Sequence, residues 1–147
     1  MQIGKTAENA IAVVSYLAES HHAKAGRVSS QAVADARRIS KPLAAKILTT
    51  LSQSGIVRGS TGPGGGYELE KNPQDIRLID VVKCFELQSR GVMCPFGKDW
   101  CGQYEPCPMH NQIIAMEETM RNFLTQNHFG DFADSECSSV YPGKPIK

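Results

Sequence analysis

Residues 94–110 read CPFGKDWCGQYEPCPMH, so Cys94, Cys101, Cys107 and His110 bring three thiols and an imidazole close together. Thiolates bind zinc or iron–sulfur clusters, and an imidazole replaces a thiolate at either. The Pro and Gly content argues for a loop wrapped around a centre rather than a helix or a strand. Structural zinc sites are usually built on a C-x2–4-C knuckle, and no two of these cysteines are that close. The loop, residues 89–110, is therefore expected to hold an iron–sulfur cluster or zinc, and the spacing makes zinc the minority alternative. The other two cysteines carry less. Cys84 falls in a helical pattern and is expected to be a buried small apolar residue. Cys137 stands in residues 135–147, which show no core periodicity and are expected to form a flexible tail with an uncoordinated thiol.

The elements that must hold this loop come mostly before it. The 147 residues are 41% hydrophobic and 21% charged, which suits one globular domain with an appendage. No apolar run approaches a membrane span and the first residues, MQIGKTAEN, are polar. A cytoplasmic chain with no membrane partner and with reduced or ligating thiols is expected. Residues 1–72 hold nine Lys/Arg against five Asp/Glu, a balance of +4, and residues 73–147 hold seven against ten, a balance of −3. A basic first half suits a polyanion such as DNA, although scattered charge on a small domain gives the same count.

Residues 7–20 have Ile11, Val14 and Leu17, with Ala10 and Ala18, at helical spacing. Thr6 is the expected N-cap, and Glu8 in the first turn complements the helix dipole. His21 and His22 open a polar connection over 21–28. A short helix over 31–38, capped by Ser29 or Ser30, buries Val33. After a tight turn at Ile39 and Ser40, a second helix over 41–54 is capped by Ser40 and tolerates Pro42 in its first turn. Ala44, Ile47, Leu48 and Leu51 define its buried face, leaving Lys41, Ala45, Lys46, Thr49, Thr50 and Gln53 opposite. Two short helices joined by a tight turn are a helix-turn-helix, whose second helix enters the DNA major groove. Residues 56–58 and 67–69 form a hairpin around the Gly-rich tip GPGGG, where positive φ and close backbone approach are permitted. That hairpin is the wing of a winged helix. The tip lacks the Lys-Ser/Thr of a phosphate-binding P-loop, and no helix follows it.

Residues 72–88 begin with the turn NPQD and continue into an amphipathic helix burying Ile79, Val82 and Phe85. After the cysteine loop, residues 108–127 form a long helix. Ile113, Met116, Met120 and Phe123 recur along it as a heptad-like seam, widened by Ile114, Glu117 and Leu124. Such a seam needs a partner, and a second copy of the same helix is favoured over packing onto its own domain. Residues 128–134 add a terminal turn. The expected organisation is a mainly α chain with a small β wing. Residues 1–88 are the winged helix-turn-helix domain, 89–110 the cysteine loop, 111–134 the dimerisation helix with its terminal turn, and 135–147 the tail.

Taken together, the segments GPGGGY at 62–67 and ISKPLAAKILTTLSQSGIV at 39–57, with the three-cysteine loop and the long helix after it, resemble the IscR/NsrR family of bacterial transcription regulators. The resemblance runs to about Asp134. It implies a homodimer of winged helices joined through the long helices, binding a double-stranded operator and holding a [2Fe-2S] or [4Fe-4S] cluster near the interface. It implies no enzyme activity. Cys94, Cys101 and Cys107 would ligate the cluster, in a C-x6-C-x5-C spacing one residue longer in the first gap than the family pattern. His110 stands where the cluster-biogenesis regulators place a histidine ligand. Glu8 stands where the nitric-oxide sensors place an Asp that reaches the cluster from the other protomer. Both stay open, with Glu8 slightly preferred. For DNA, the resemblance implies Ser40, Lys41, Pro42 and Leu43, then Ala45, Lys46 and Thr49, with Thr61 and Gly64 from the wing. Ala45 and Thr61 replace an acidic residue and a wing arginine of a relative, which implies a different operator.

The function expected is a regulator whose operator binding is gated by a cluster sensing redox state, nitric oxide or iron supply. A zinc-stabilised or metal-free thiol-sensing regulator is the alternative. A small iron–sulfur redox protein without DNA would explain the cysteines but neither the helix-turn-helix nor the wing.

Overall fold

A computed structural model describes residues 3–86 and 106–134. In order these are α1 (Lys5–His22), α2 (Ser30–Arg37), α3 (Lys41–Gln53), β1 (Val57–Ser60), β2 (Gly66–Leu69), a 3-10 turn (Pro73–Asp75), α4 (Leu78–Val82), α5 (His110–Gln126) and α6 (Asp131–Asp134). The described residues are mainly helical with one two-stranded antiparallel sheet, the winged-helix class read from the sequence.

Helix α1 is the centre of the fold, packing against α2, α3, α4, α6 and β2. Neighbours on so many sides widen its buried face beyond a stripe. Ala7, Ala10, Val13, Val14, Leu17 and Ala18 are all buried, whereas Ile11, expected in the stripe, is half-buried and Val13 takes the deeper place. Its cap is Gly4 rather than Thr6, and Gly4 supplies no side chain. The Glu86 carboxylate accepts from the Gly4 amide at 2.7 Å instead, so a residue far along the chain satisfies the helix start. His21 and His22 belong to the last turn of α1, not to the connection.

The two helices of the helix-turn-helix are set by their caps. Ser29 accepts from the Ala32 amide at 3.0 Å, and Ser40 accepts from Leu43 at 3.3 Å. Arg38, in the left-handed region at φ 53°, turns the chain between them. Arg37 fastens α2 to α1 by donating to the Ala12 carbonyl at 2.8 Å, Ser15 Oγ at 3.0 Å and the Glu19 carboxylate at 2.9 Å. Ala44, Ile47, Leu48 and Leu51 of α3 are fully buried, as the spacing predicts.

In the wing, Val57 pairs with Leu69, Arg58 with Glu68, Gly59 with Tyr67 and Ser60 with Gly66. The Gly65 amide donates to the Gly62 carbonyl at 2.9 Å around Pro63 and Gly64 (φ 72°), the type II pattern that requires a glycine at the third position. The other edge of β2 is taken by Val28, whose amide donates to the Tyr67 carbonyl at 2.9 Å and whose carbonyl accepts from Tyr67 at 2.7 Å. A Cβ on Gly66 would stand 2.7 Å from that Val28 carbonyl, so only glycine fits there.

Helix α4 starts where expected but ends before the expected helix over 78–88, whose last two residues lie outside the described residues. Leu78, Ile79, Val81 and Val82 are buried, and after Val82 the chain tightens through bonds from Cys84 to Val81 and from Phe85 to Val82. Cys84, expected buried, is half-buried and donates its Sγ–H to the Asp80 carbonyl at 3.2 Å. Helix α5 begins at His110 and packs against α4. Behind α5 the chain returns to residues 73–78. Phe129 donates to Ile76, Gly130 to Pro73, and Leu78 to Asn127, while the Phe129 ring is fully buried. The expected terminal turn is therefore also a core anchor. The tail at 135–147 lies outside the described residues.

Candidate nucleic-acid interface and cysteine loop

Ser40, Lys41, Pro42, Lys46 and Thr49 are exposed on one side of α3, opposite its fully buried face. Ser40 has a prior commitment, since its Oγ caps the helix. Leu43 and Ala45 are half-buried, and Leu43 packs partly against the core, so it offers an edge rather than a whole side chain. Thr49 Oγ1 donates to the Ala45 carbonyl at 2.8 Å, which leaves its oxygen as an acceptor. Thr61 and Gly64 are exposed at the wing tip. The helix-turn-helix and the wing thus display all nine expected DNA residues, two of them only partly.

Sequence reasoning missed a second polar surface on the wing. Arg58 donates Nε to Glu68 Oε1 at 2.8 Å, and Arg27, from the loop between α1 and α2, donates Nε to the same oxygen at 3.2 Å. Arg27 also donates to Ser60 Oγ on β1. Hydrogen bonds from Arg58 and then Arg27 hold the Glu68 carboxyl below the usual carboxylate range. A signal existed for the pair on the strands. Arg58 and Glu68 flank the hairpin tip at nearly equal distances, so opposite charges fall directly across from each other. Nothing local pointed to Arg27.

Of the expected ligands, Cys94 and Cys101 lie outside the described residues. Cys107 is a free thiol, 6% exposed, and its carbonyl accepts from the His110 amide at 3.0 Å at the start of α5. His110 is half-buried in the first position of that helix. Glu8 is exposed in the first turn of α1, and its carboxylate accepts from Lys5 Nζ at 3.0 Å. Among the described residues no group of three or more His, Cys, Asp or Glu is assembled. None of the described helices is long and apolar enough to cross a membrane.

The seam on α5 divides. Leu124 is fully buried, Glu117 nearly so, and Met120 packs partly against the core. Met116 is 72% exposed and Phe123 54%, with Met109 exposed one heptad before Met116. One edge of the helix thus serves its own domain while an apolar edge faces outward.

A profile of the Rrf2 family, described as an iron-dependent transcriptional regulator, matches residues 3–135. The chain is 26% identical over 136 residues to the HTH-type transcriptional regulator IscR of Aliivibrio salmonicida, covering 92% of this chain and 80% of that one. Among solved structures, T. potens IscR superposes with a TM-score of 0.70 at 19% identity, covering 97% of this chain and 94% of that one. CymR, the global cysteine regulator of B. subtilis, superposes with a TM-score of 0.70 at 20% identity, covering 90% and 96%. At these identities the structural likeness is one of fold.

Proposed function

This chain belongs to the Rrf2 family of transcriptional regulators, and we propose from that premise that its operator binding is gated by an iron–sulfur cluster in the cysteine loop. The observation that carries this reading is Cys107: a buried thiol, bonded through its carbonyl to the head of α5. Three thiols and one oxygen or nitrogen donor are a ligand set suited to iron and sulfide, so the donors fit the group. Cys94, Cys101 and Cys107 would hold it, completed by Glu8 of a second protomer or by His110. When bound, the cluster supplies reversible electron uptake and an exchangeable coordination position. With the ligands tied together, the loop and the head of α5 are held in one arrangement. With them released, α5 is free to shift against α4, which belongs to the winged domain.

In this reading the working unit is a cytoplasmic homodimer joined along α5. The first turn of each α3, from Ser40 to Leu43 with Ala45, Lys46 and Thr49, enters a major groove, and Thr61 and Gly64 meet the DNA beside it. Two half-sites separated by whole turns of the duplex are expected, with affinity falling steeply as salt rises. In the same reading residues 89–110 are the sensing loop between the reader at 1–88 and the dimer helix at 111–134.

A second reading, direct thiol sensing without a metal, is supported by the fold shared with CymR and by the free thiols of Cys84 and Cys107. Structural zinc on the three cysteines and His110 is the third. Anaerobic purification with visible absorption, iron and acid-labile sulfide assays and Mössbauer spectroscopy separates them. A brown protein with sulfide is expected, and Glu8→Ala and His110→Ala variants identify the fourth ligand by which one loses the cluster. Stoichiometric zinc without sulfide after reconstitution, or a colourless metal-free protein that binds DNA in a thiol-dependent way, would sink the cluster reading.

A further inference from the structure

The outward face of the wing carries a polar arrangement that the DNA residues already named do not use. Val57 and Leu69 are buried on the inner face of the hairpin, so their neighbours Arg58 and Glu68 face outward. Arg27 joins that face from the loop before α2. Glu68 Oε1 accepts from both arginines, Arg27 also reaches Ser60, and the Glu70 carboxylate stands 3.8 Å from Arg58 Nε, so one loop and the two-stranded wing build the cluster, with Glu68 as the carboxylate shared by both arginines. Glu68 is the most covered of the three, its side chain 27% exposed against 37% for Arg27 and 57% for Arg58. Arg58 is engaged through Nε, the side of its guanidinium. Among the described residues none of its hydrogen bonds uses the forked end, the face that matches a phosphate in two parallel bonds. Arg27 lies two residues before the cap of α2, the helix that crosses the phosphate backbone in a helix-turn-helix.

We propose that Glu68 is a positioning residue for DNA binding: it holds Arg27 and Arg58 in one fixed arrangement, from which both guanidiniums meet backbone phosphates beside the wing. Glu68 itself does not touch DNA, where its charge would repel phosphate. Its contribution is that two long, rotamer-rich side chains are already ordered before the duplex arrives, so less entropy is lost on binding. The carboxylate stays ionised across the neutral range because the two arginines favour that form. The inference rests on the DNA-binding reading but not on the cluster.

The test measures affinity against salt concentration for the full-length protein. Two duplexes are used: one selected from a random library by the wild-type protein, and one of mixed sequence. Arg27→Ala and Arg58→Ala are each expected to lower the salt slope by about one, the loss of one phosphate contact. Glu68→Gln keeps both arginines, so its slope is retained while affinity for the selected duplex falls about five- to tenfold through lost ordering. In an Arg27→Ala, Arg58→Ala background, Glu68→Gln has no further effect, because nothing is left for it to position. Thermal melts of each variant give the structural contribution separately. Arginine variants with the wild-type slope overturn the proposal, as does a Glu68→Gln loss of equal size in the double-alanine background. A wild-type protein that selects no duplex and binds neither would overturn the DNA-binding reading along with it.

Discussion

Helices α3 and α5 both carry an apolar face at helical spacing, and the chain treats them in opposite ways. Every residue of the α3 face, Ala44, Ile47, Leu48 and Leu51, is fully buried within its own domain. On α5 only Glu117 and Leu124 are buried, while Met109, Met116 and Phe123 stand in the solvent at intervals of seven. The caps differ as well: Ser40 bonds the first turn of α3, and Met109 gives α5 no side-chain cap. The difference teaches that an apolar stripe is evidence of a partner, not of where the partner is. For α3 the partners are α2, β1 and α1. For α5 part of the partner is α4, and the uncovered remainder suits a second copy of the chain.

The largest effect expected is on the side where burial is complete. Leu48→Ala should cost about 3 kcal/mol in urea unfolding, by lost transfer energy and an unfilled cavity. Next comes the exposed edge. Met116→Asp with Phe123→Asp should weaken self-association by about 2 kcal/mol, roughly thirtyfold, in sedimentation equilibrium, while helix content is retained. Wild-type association in the double variant would remove the contrast between the helices, leaving α5 a surface helix. Ser40→Ala should cost about 1 kcal/mol by losing the α3 cap. The smallest effect concerns α4, against which α5 rests. Burial raises the Asp80 carboxyl, but bonds from the Arg77 side chain and backbone and the charge of Lys83 outweigh it, so the net displacement is downward. A lowered carboxyl stabilises the fold above its unfolded pKa, and that contribution is lost as pH falls through the folded one. The urea-midpoint gap between wild type and Asp80→Asn should therefore be present at neutral pH, about 0.5 kcal/mol, and close on acidification.

The fold was legible where local rules decide it. The spacing of Ala44, Ile47, Leu48 and Leu51, the serine caps at 29 and 40 and the Pro-Gly tip of the wing each state their structure within a few residues. What stayed hidden depends on contacts distant along the chain. The acceptor for the amide of Gly4, the cap of α1, comes from Glu86, the second edge of β2 from Val28, and the anchoring of Phe129 from Pro73 and Ile76. Helical periodicity from 78 onward overstated α4, because the pattern does not show the chain tightening after Val82. The site divides in the same manner. The exposed side of α3 followed from its buried side, whereas Arg27 enters the wing from a loop that no local pattern connects to it.

The backbone bonds that tie Asn127, Phe129 and Gly130 to residues 73–78 fix one end of α5. In mechanical terms they are a pin, and the 17 residues ahead of it form a rod with His110 at its far end and Cys107 bonded just beyond. At 1.5 Å per residue the rod is about 25 Å long, so a tilt of ~5° at the pin displaces the far end by ~2 Å. The same lever works in reverse: a displacement of ångström size at the cysteine end arrives at the pin as a small rotation, and the pin is built from the backbone that leads into α4.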